Sequence, residues 1–269
     1  MREMRAYSQV YRNRPAALSW KAPVAFNNDW GGIRLLQLCE EMGVEQPFHI
    51  AFGAPLCAWA GGRPSAIRWQ LSEAQLRSYF EAYARHGVTV ALTMSRLDVS
   101  NEALADPYCN LIMRVANDYA AQAIIVGDHV LAHVREHYPR VCTIASLDKV
   151  MCELRTDFSR EAAYYEELFG RFDEVVVRCE AALSDAMLDH LALYADRTEI
   201  IVNQACMRDC QYCHLHIASM ESANDPSVDP RTHRHQECFY KRNAEDLGFW
   251  LEHNLLIPEE RICTLAERG

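Results

Sequence analysis

The amino-acid sequence predicts one α/β domain over residues 1–269, a (β/α)8 barrel of the TIM type. Eight short apolar runs alternate with longer segments of helical periodicity. The length of 269 residues is close to the roughly 250 residues of such a barrel. An open doubly wound sheet is the alternative, but residues 29–32, DWGG, do not match the glycine-rich turn that usually follows its first strand.

Continuous apolar runs are typical of parallel strands that are buried on both faces. The predicted strands are residues 22–26, 48–52, 88–93, 123–126, 141–145, 174–177, 199–202 and 261–265. The predicted helices are residues 32–42, 72–86, 107–119, 129–137, 160–169, 184–194 and 244–253. Ser72 and Gly87 are expected to cap the second of these helices at its two ends. The last helix of the barrel is expected to be incomplete, because the eighth predicted strand lies close to residue 269.

The composition favours a reduced, cytoplasmic protein. The chain has 11 cysteines, an odd number, and no apolar segment follows the initial MREMR as a secretory signal requires. Most cysteines outside one late cluster are expected to be core residues. No run of about 18 apolar residues is present, so no membrane-spanning helix is expected. The formal net charge of −10 disfavours a broad nucleic-acid-binding surface.

The late cluster is the strongest functional signal in the sequence. Cys206, Cys210 and Cys213 follow the seventh predicted strand at x3 and x2 spacings, in a polar segment. Cys238 lies further along the same long loop, residues 204–242, which also contains His216. Thiolates are preferred ligands of iron–sulfur clusters and zinc. The sequence therefore predicts a metal centre held by these four cysteines.

Catalytic residues of such barrels lie at the carboxyl ends of the strands, so polar residues there are candidates. The candidate acid–base residues are His216, Asp128 and Glu180. The candidate substrate-binding residues are Asn27, Asn203 and Arg96.

Several segments resemble the U-32 peptidase family, also called the collagenase-like peptidase family. The resemblance is carried by residues 24–27, 50–53, 87–93, 120–127, 200–216, 238–242 and 262–268. It implies a barrel with an iron–sulfur cluster and oxygen-independent hydroxylation of RNA bases or of a quinone precursor. Two positions depart from the family pattern: Gln211 stands in place of a proline, and Cys213 in place of a frequent basic residue.

The prediction is thus a [4Fe–4S] redox tailoring enzyme, with a small molecule, a quinone precursor, an RNA or a peptide as substrate. Two alternatives remain open. The spacing C-x3-C-x-Y-C at residues 206–213 resembles the radical S-adenosylmethionine signature, in which three thiolates leave one iron for the cofactor. A zinc site, or a cluster, could instead stabilise a non-catalytic binding subunit that acts with a protein partner.

Overall fold

The structure is a computed structural model that describes residues 18–26, 30–62, 65–154, 157–207 and 254–268, with residues 205–207 and 254 described by their backbone. Its main sheet has seven parallel strands in the order β1 to β7. These strands are β1 Lys21–Ala22, β2 Ile50–Gly53, β3 Thr89–Met94, β4 Gln122–Ile125, β5 Cys142–Ala145, β6 Glu174–Val177 and β7 Thr198–Ile200. Two further strands, β8 Asn203–Met207 and β9 Asn254–Leu256, form an antiparallel pair.

Helices connect the parallel strands. Among the described residues, these are α1 Gly31–Met42, α2 Glu73–Ala84, α3 Pro107–Asp118, α4 Asp128–His137, α5 Leu147–Leu154, α6 Glu161–Phe169, α7 Cys179–Ala182 and α8 Asp185–Leu191. A further helix, α9 Glu259–Glu267, follows β9. The predicted cap of α2 is confirmed, since the Ser72 hydroxyl accepts from the Gln75 N–H and the Gln75 side chain accepts from the Ser72 N–H. This reciprocal pair satisfies two N–H groups that the helix leaves free.

The first strand is shorter than predicted. Only Lys21–Ala22 pairs with β2, and residues 23–26 form a turn. Pro23 cannot donate a backbone hydrogen bond, and Phe26 has a φ of 55° in the left-handed region. These two residues end the strand before the apolar run ends.

The sheet curls into a half-barrel. In a flat sheet, six spacings of about 4.8 Å would separate β1 from β7 by about 29 Å, far beyond the reach of two side chains. Yet the Lys21 ammonium on β1 lies 2.8 Å from Glu199 Oε2 on β7 and 2.9 Å from Glu174 Oε2 on β6. The fold expectation is therefore confirmed as far as a curled parallel sheet with helices between its strands.

The sheet separates two apolar layers. Inside the curl, small and branched side chains fill the space, namely Ile50, Ala91, Ile124, Ile144, Leu147 and Val176. Phe52, Met151 and Ile201 pack against this inner cluster and are partly exposed. Outside the curl, a larger core joins the sheet to the helices, with Tyr79, Tyr83, Leu92 and Ile112 fully buried.

The predicted eighth strand, residues 261–265, is wrong. These residues lie within helix α9, which begins after Pro258 with Glu259 and Glu260 in its first turn. Acidic residues there favour a helix because they interact with its positive N-terminal end. A short apolar run cannot distinguish a strand from one face of a helix.

The cysteines outside the late cluster are partly core residues, as expected. Four of them are buried: Cys39, Cys57, Cys109 and Cys179. Cys142 and Cys152 are intermediate, and Cys263 is exposed on α9. No helix within the described ranges is long and apolar enough to cross a bilayer.

Candidate functional site

The carboxyl ends of the parallel strands bring residues from distant parts of the chain to one edge of the half-barrel. Arg96 follows β3, Asp128 follows β4 and Glu180 follows β6. Each of these side chains is held by a different local partner. The Arg96 Nε donates to Asp98 Oδ1 at 2.8 Å, and its side chain is 20% exposed. Arg96, Asp128 and Glu180 thus lie at this edge, and each is paired with a neighbouring charged group.

A buried ion-pair group lies at the end of β6. The Arg178 guanidinium contacts Glu161 Oε1 at 3.7 Å and Glu180 Oε1 at 3.2 Å, and it stacks on the Phe158 ring at 3.4 Å from the ring centroid. The Tyr165 hydroxyl donates to Glu161 and accepts from the Arg178 N–H. Burial raises the pKa of Glu161 above its ordinary value, and Tyr165 and Arg178 only partly oppose this effect. Glu180 is therefore one of two carboxylates that share a single buried cation.

Asp128 bridges two cations. Its Oδ1 lies 2.7 Å from the Lys149 ammonium and 2.5 Å from the Arg171 guanidinium. Lys149 also donates to the Val126 carbonyl at 3.0 Å, which ties α5 to the end of β4. Burial opposes ionisation of Asp128, but the two cations outweigh it and hold its pKa below the ordinary value. Asp128 is thus a fixed anion, better suited to holding neighbouring groups than to transferring a proton.

Asp148 is a carboxyl group at this edge whose pKa is shifted in the opposite direction from that of Asp128. It lies in the first turn of α5, directly after β5, and its N–H donates to the Ser146 hydroxyl oxygen at 3.1 Å. Desolvation raises its pKa to about 6, although the Ser146 hydroxyl bond lowers it. A carboxyl group with a pKa near 6 can exchange protons close to neutral pH. In the sequence, only its position just after a predicted strand could have identified Asp148 as a site residue.

Asp148→Asn is expected to remove a pH dependence of stability. Because the folded pKa is above the ordinary value of about 3.9, the native state binds the proton more tightly, and stability falls as pH rises from about 4 to 6. Above pH 6 the variant should be more stable than the wild type by about 1 kcal/mol, after allowance for partial exposure. Urea unfolding between pH 4.5 and 7.5 measures this difference.

Asp128→Asn is the matched control, with the opposite sign. The Asp128 carboxylate has a lowered pKa, so its contribution is present above the ordinary pKa and is lost as pH falls. That variant should be less stable than the wild type at neutral pH. If the unfolding free energy of Asp148→Asn changes with pH as steeply as that of the wild type, the raised pKa of Asp148 is contradicted.

Cys206 lies at the same edge of the fold, on the backbone of β8. The chain leaves β7 at Ile200 and enters β8 three residues later. Gln204 pairs with Leu255 and Met207 pairs with Asn254, so the ladder is irregular between Gln204 and Met207. Cys206 lies in this irregular stretch, residues 205–206, which we call the bulge. Bulges in ladders are common beside functional sites because they redirect side chains.

The β8–β9 pair also brings together the two ends of residues 208–253. Met207 pairs with Asn254, and the Ile257 N–H donates to the Val202 carbonyl at 2.9 Å. The chain thus leaves and re-enters the described fold at adjacent points near the end of β7. Cys210, Cys213, His216 and Cys238 belong to this segment and lie outside the described residues, as does Asn27. Asn203 is exposed on β8.

The donor chemistry of the cysteine set fits an iron–sulfur cluster or zinc, since four thiolates can complete either centre. Within the described ranges, no group of three or more His, Cys, Asp or Glu side chains could hold a metal ion. Three of the four predicted ligands, Cys210, Cys213 and Cys238, belong to residues 208–253.

The sequence analysis did not select several residues near the ends of the strands. Cys179, the first residue of α7, is fully buried, and its thiol donates to the Ile201 carbonyl at 2.8 Å. Lys149, Arg171, Arg178 and Asp148 were likewise not selected. For all of these residues except Arg171, a position just after a predicted strand was the feature of the sequence that could have identified them.

No family model, curated protein or solved structure matches this chain.

Proposed function

We propose that this chain is a cytoplasmic iron–sulfur protein with a single (β/α)8-barrel domain, and that it acts as a redox tailoring enzyme of the oxygen-independent hydroxylase type. The resemblance to the U-32 peptidase family suggests this activity. The observation that carries the proposal is the position of Cys206, in the irregular part of the β8–β9 ladder at the carboxyl edge of a curled parallel sheet. Cys210 and Cys213 follow it at spacings suited to one centre.

Cys238 is the proposed fourth ligand. Residues 208–253 leave and re-enter the fold at one place, because β8 and β9 pair there. The entropic cost of closing the chain between Cys213 and Cys238 is modest, because it grows slowly with loop length. Four thiolates complete a [4Fe–4S] cluster, whereas three leave one iron open to a cofactor or substrate.

The polar edge of the half-barrel is the proposed substrate site. A bound cluster would supply electron transfer there. Arg96, Asn27 and Asn203 are proposed to orient the substrate. Asp148 is a better candidate for proton transfer than Asp128, because the first has a raised pKa and the second is held ionised. His216 and Glu180 remain proposed acid–base groups, and Glu180 would act beside the Arg178 cation.

The curl of the sheet supports a closed eight-stranded barrel as the complete fold. Lys21 and Glu199 already meet across the open side of the half-barrel. The inner apolar cluster resembles the packed interior of such a barrel, which is filled by branched side chains.

The radical S-adenosylmethionine type is a second candidate, favoured by the spacing of Cys206, Cys210 and Cys213. It requires an open iron, so it predicts that Cys238 is not a ligand. A zinc-stabilised binding subunit needs the same thiolates but no redox chemistry.

Anaerobic purification followed by visible spectroscopy and metal analysis tests the proposal. Broad absorption at the blue end of the visible range, with iron and sulfide bound to the chain, is the expected result. A colourless protein that contains zinc would overturn it in favour of the binding subunit. A cluster whose electron paramagnetic resonance signal changes on addition of S-adenosylmethionine would favour the radical type.

A further inference from the structure

Cys179 lies at the junction between the parallel sheet and the bulge. It begins α7 directly after β6, and its side chain is fully buried. The thiol donates to the Ile201 carbonyl at 2.8 Å. The Gln204 side-chain Oε1 lies 3.3 Å from the same sulfur. One sulfur atom therefore engages both ends of the turn that joins β7 to β8.

This turn determines where the bulge begins. On its other side, the Val202 carbonyl accepts from the Ile257 N–H. Cys206 lies two residues beyond Gln204, where the ladder with β9 is irregular. An irregular ladder fixes the backbone less firmly than a regular one, because the extra residues have no direct partner. Gln204 is therefore the last residue before Cys206 whose position is held by a paired strand, and the Cys179 sulfur contacts it.

We propose that Cys179 is a positioning residue for the metal centre, and that its sulfur fixes the turn from which the Cys206 backbone extends. The inference rests on the metal centre proposed above. Burial raises the pKa of the Cys179 thiol to about 12, so it stays protonated and can donate to the Ile201 carbonyl. Because the thiol holds the Ile201 carbonyl, it would affect the metal centre by fixing the backbone that leads to Cys206.

The test compares three substitutions at this position. Cys179→Ala removes the contacts of the sulfur with Ile201 and Gln204, and Cys179→Val removes them while leaving less empty space around the side chain. Cys179→Ser keeps a donor and an acceptor in a similar place. The control is Cys39→Ala, since Cys39 is a buried cysteine on α1, away from the turn. The readouts on the full chain are iron per chain after anaerobic reconstitution, the visible spectrum and the rate of iron loss to a chelator.

Cys179→Ala and Cys179→Val are expected to lose iron about tenfold faster than the wild type, as is typical when a residue that orients a metal ligand is removed. Cys179→Ser and Cys39→Ala should retain iron at nearly the wild-type rate. Circular dichroism identifies a variant that fails to fold. If Cys179→Ala or Cys179→Val fails to fold, the comparison of the other one with Cys179→Ser tests the inference.

Two results would overturn the inference, and they differ from failure of the proposed function. Wild-type retention of iron by a folded Cys179→Ala or Cys179→Val protein would show that the turn does not position the centre. Equally rapid loss from Cys179→Ser would show that hydrogen bonding is not the cause. A wild-type chain that binds neither iron nor zinc would instead overturn the metal centre itself, and this inference with it.

Discussion

Lys21→Met is expected to lower the free energy of unfolding by about 3 kcal/mol, the lower end of the range for removing one partner of a buried ion pair. The Lys21 side chain is 11% exposed, and its ammonium bonds to both Glu174 and Glu199. Gln122 completes this group, donating to Glu174 at 3.0 Å and accepting from Lys21 at 3.2 Å. Without the ammonium, the carboxylates of Glu174 and Glu199 would lie close together within the curl of the sheet, with no positive charge to compensate them. For a chain of this size, the melting temperature should fall by roughly 5–10 °C.

The effect should depend on charge rather than on the loss of a side chain. Adding Glu174→Gln and Glu199→Gln to Lys21→Met should recover much of the stability, since no unpaired carboxylate then remains. Arg85→Met is the matched surface control, because the Arg85–Glu81 pair is exposed and such pairs contribute little. A Lys21→Met protein that melts at the wild-type temperature would show that the cluster does not hold β1 in the sheet.

The ion pairs of Lys21 with Glu174 and Glu199 also predict that their contribution to stability is lost at alkaline pH. Burial disfavours the charge on Lys21, but Glu199 and Glu174 outweigh it, so its pKa is raised above the ordinary value. The stabilisation is therefore complete below the ordinary pKa of about 10.4 and is lost as pH rises through the higher folded value. The difference in stability between the wild type and Lys21→Met should shrink in that range.

Cys206→Ala, Cys210→Ala and Cys213→Ala are each expected to abolish metal loading, because each removes one thiolate from a centre that needs at least three. Cys39→Ala and Cys263→Ala serve as controls, one buried on α1 and one exposed on α9. Both should load iron as the wild type does. Iron and sulfide analysis after anaerobic reconstitution gives the measurement, and full iron content in Cys210→Ala would refute the ligand assignment.

Cys238→Ala distinguishes the two enzyme types. If Cys238 is the fourth ligand, the variant should lose the intact four-iron cluster or retain it with an altered electron paramagnetic resonance signal. An unchanged cluster and unchanged activity in Cys238→Ala would contradict that role and favour an open iron.

The sequence by itself determined the order and type of most elements. The run at residues 174–177 is β6 as predicted, because three consecutive valines suit a strand buried on both faces. The cap at Ser72 was readable because its partner Gln75 is three residues away. Local signals of this kind do not depend on the rest of the fold.

The tertiary structure alone decided which distant polar and sulfur groups meet. Lys21 and Glu199 are 178 positions apart, and polar residues near the starts of strands carry no sign that the sheet will curl and bring them together. Cys179 was read as a core cysteine, and its burial is confirmed, but its bonds to Ile201 and Gln204 depend on how β7 turns into β8. Residues 261–265 were misread because a short apolar run fits a strand and a helix equally well. Charge pairing and desolvation act over short distances in space, and only the folded chain sets those distances.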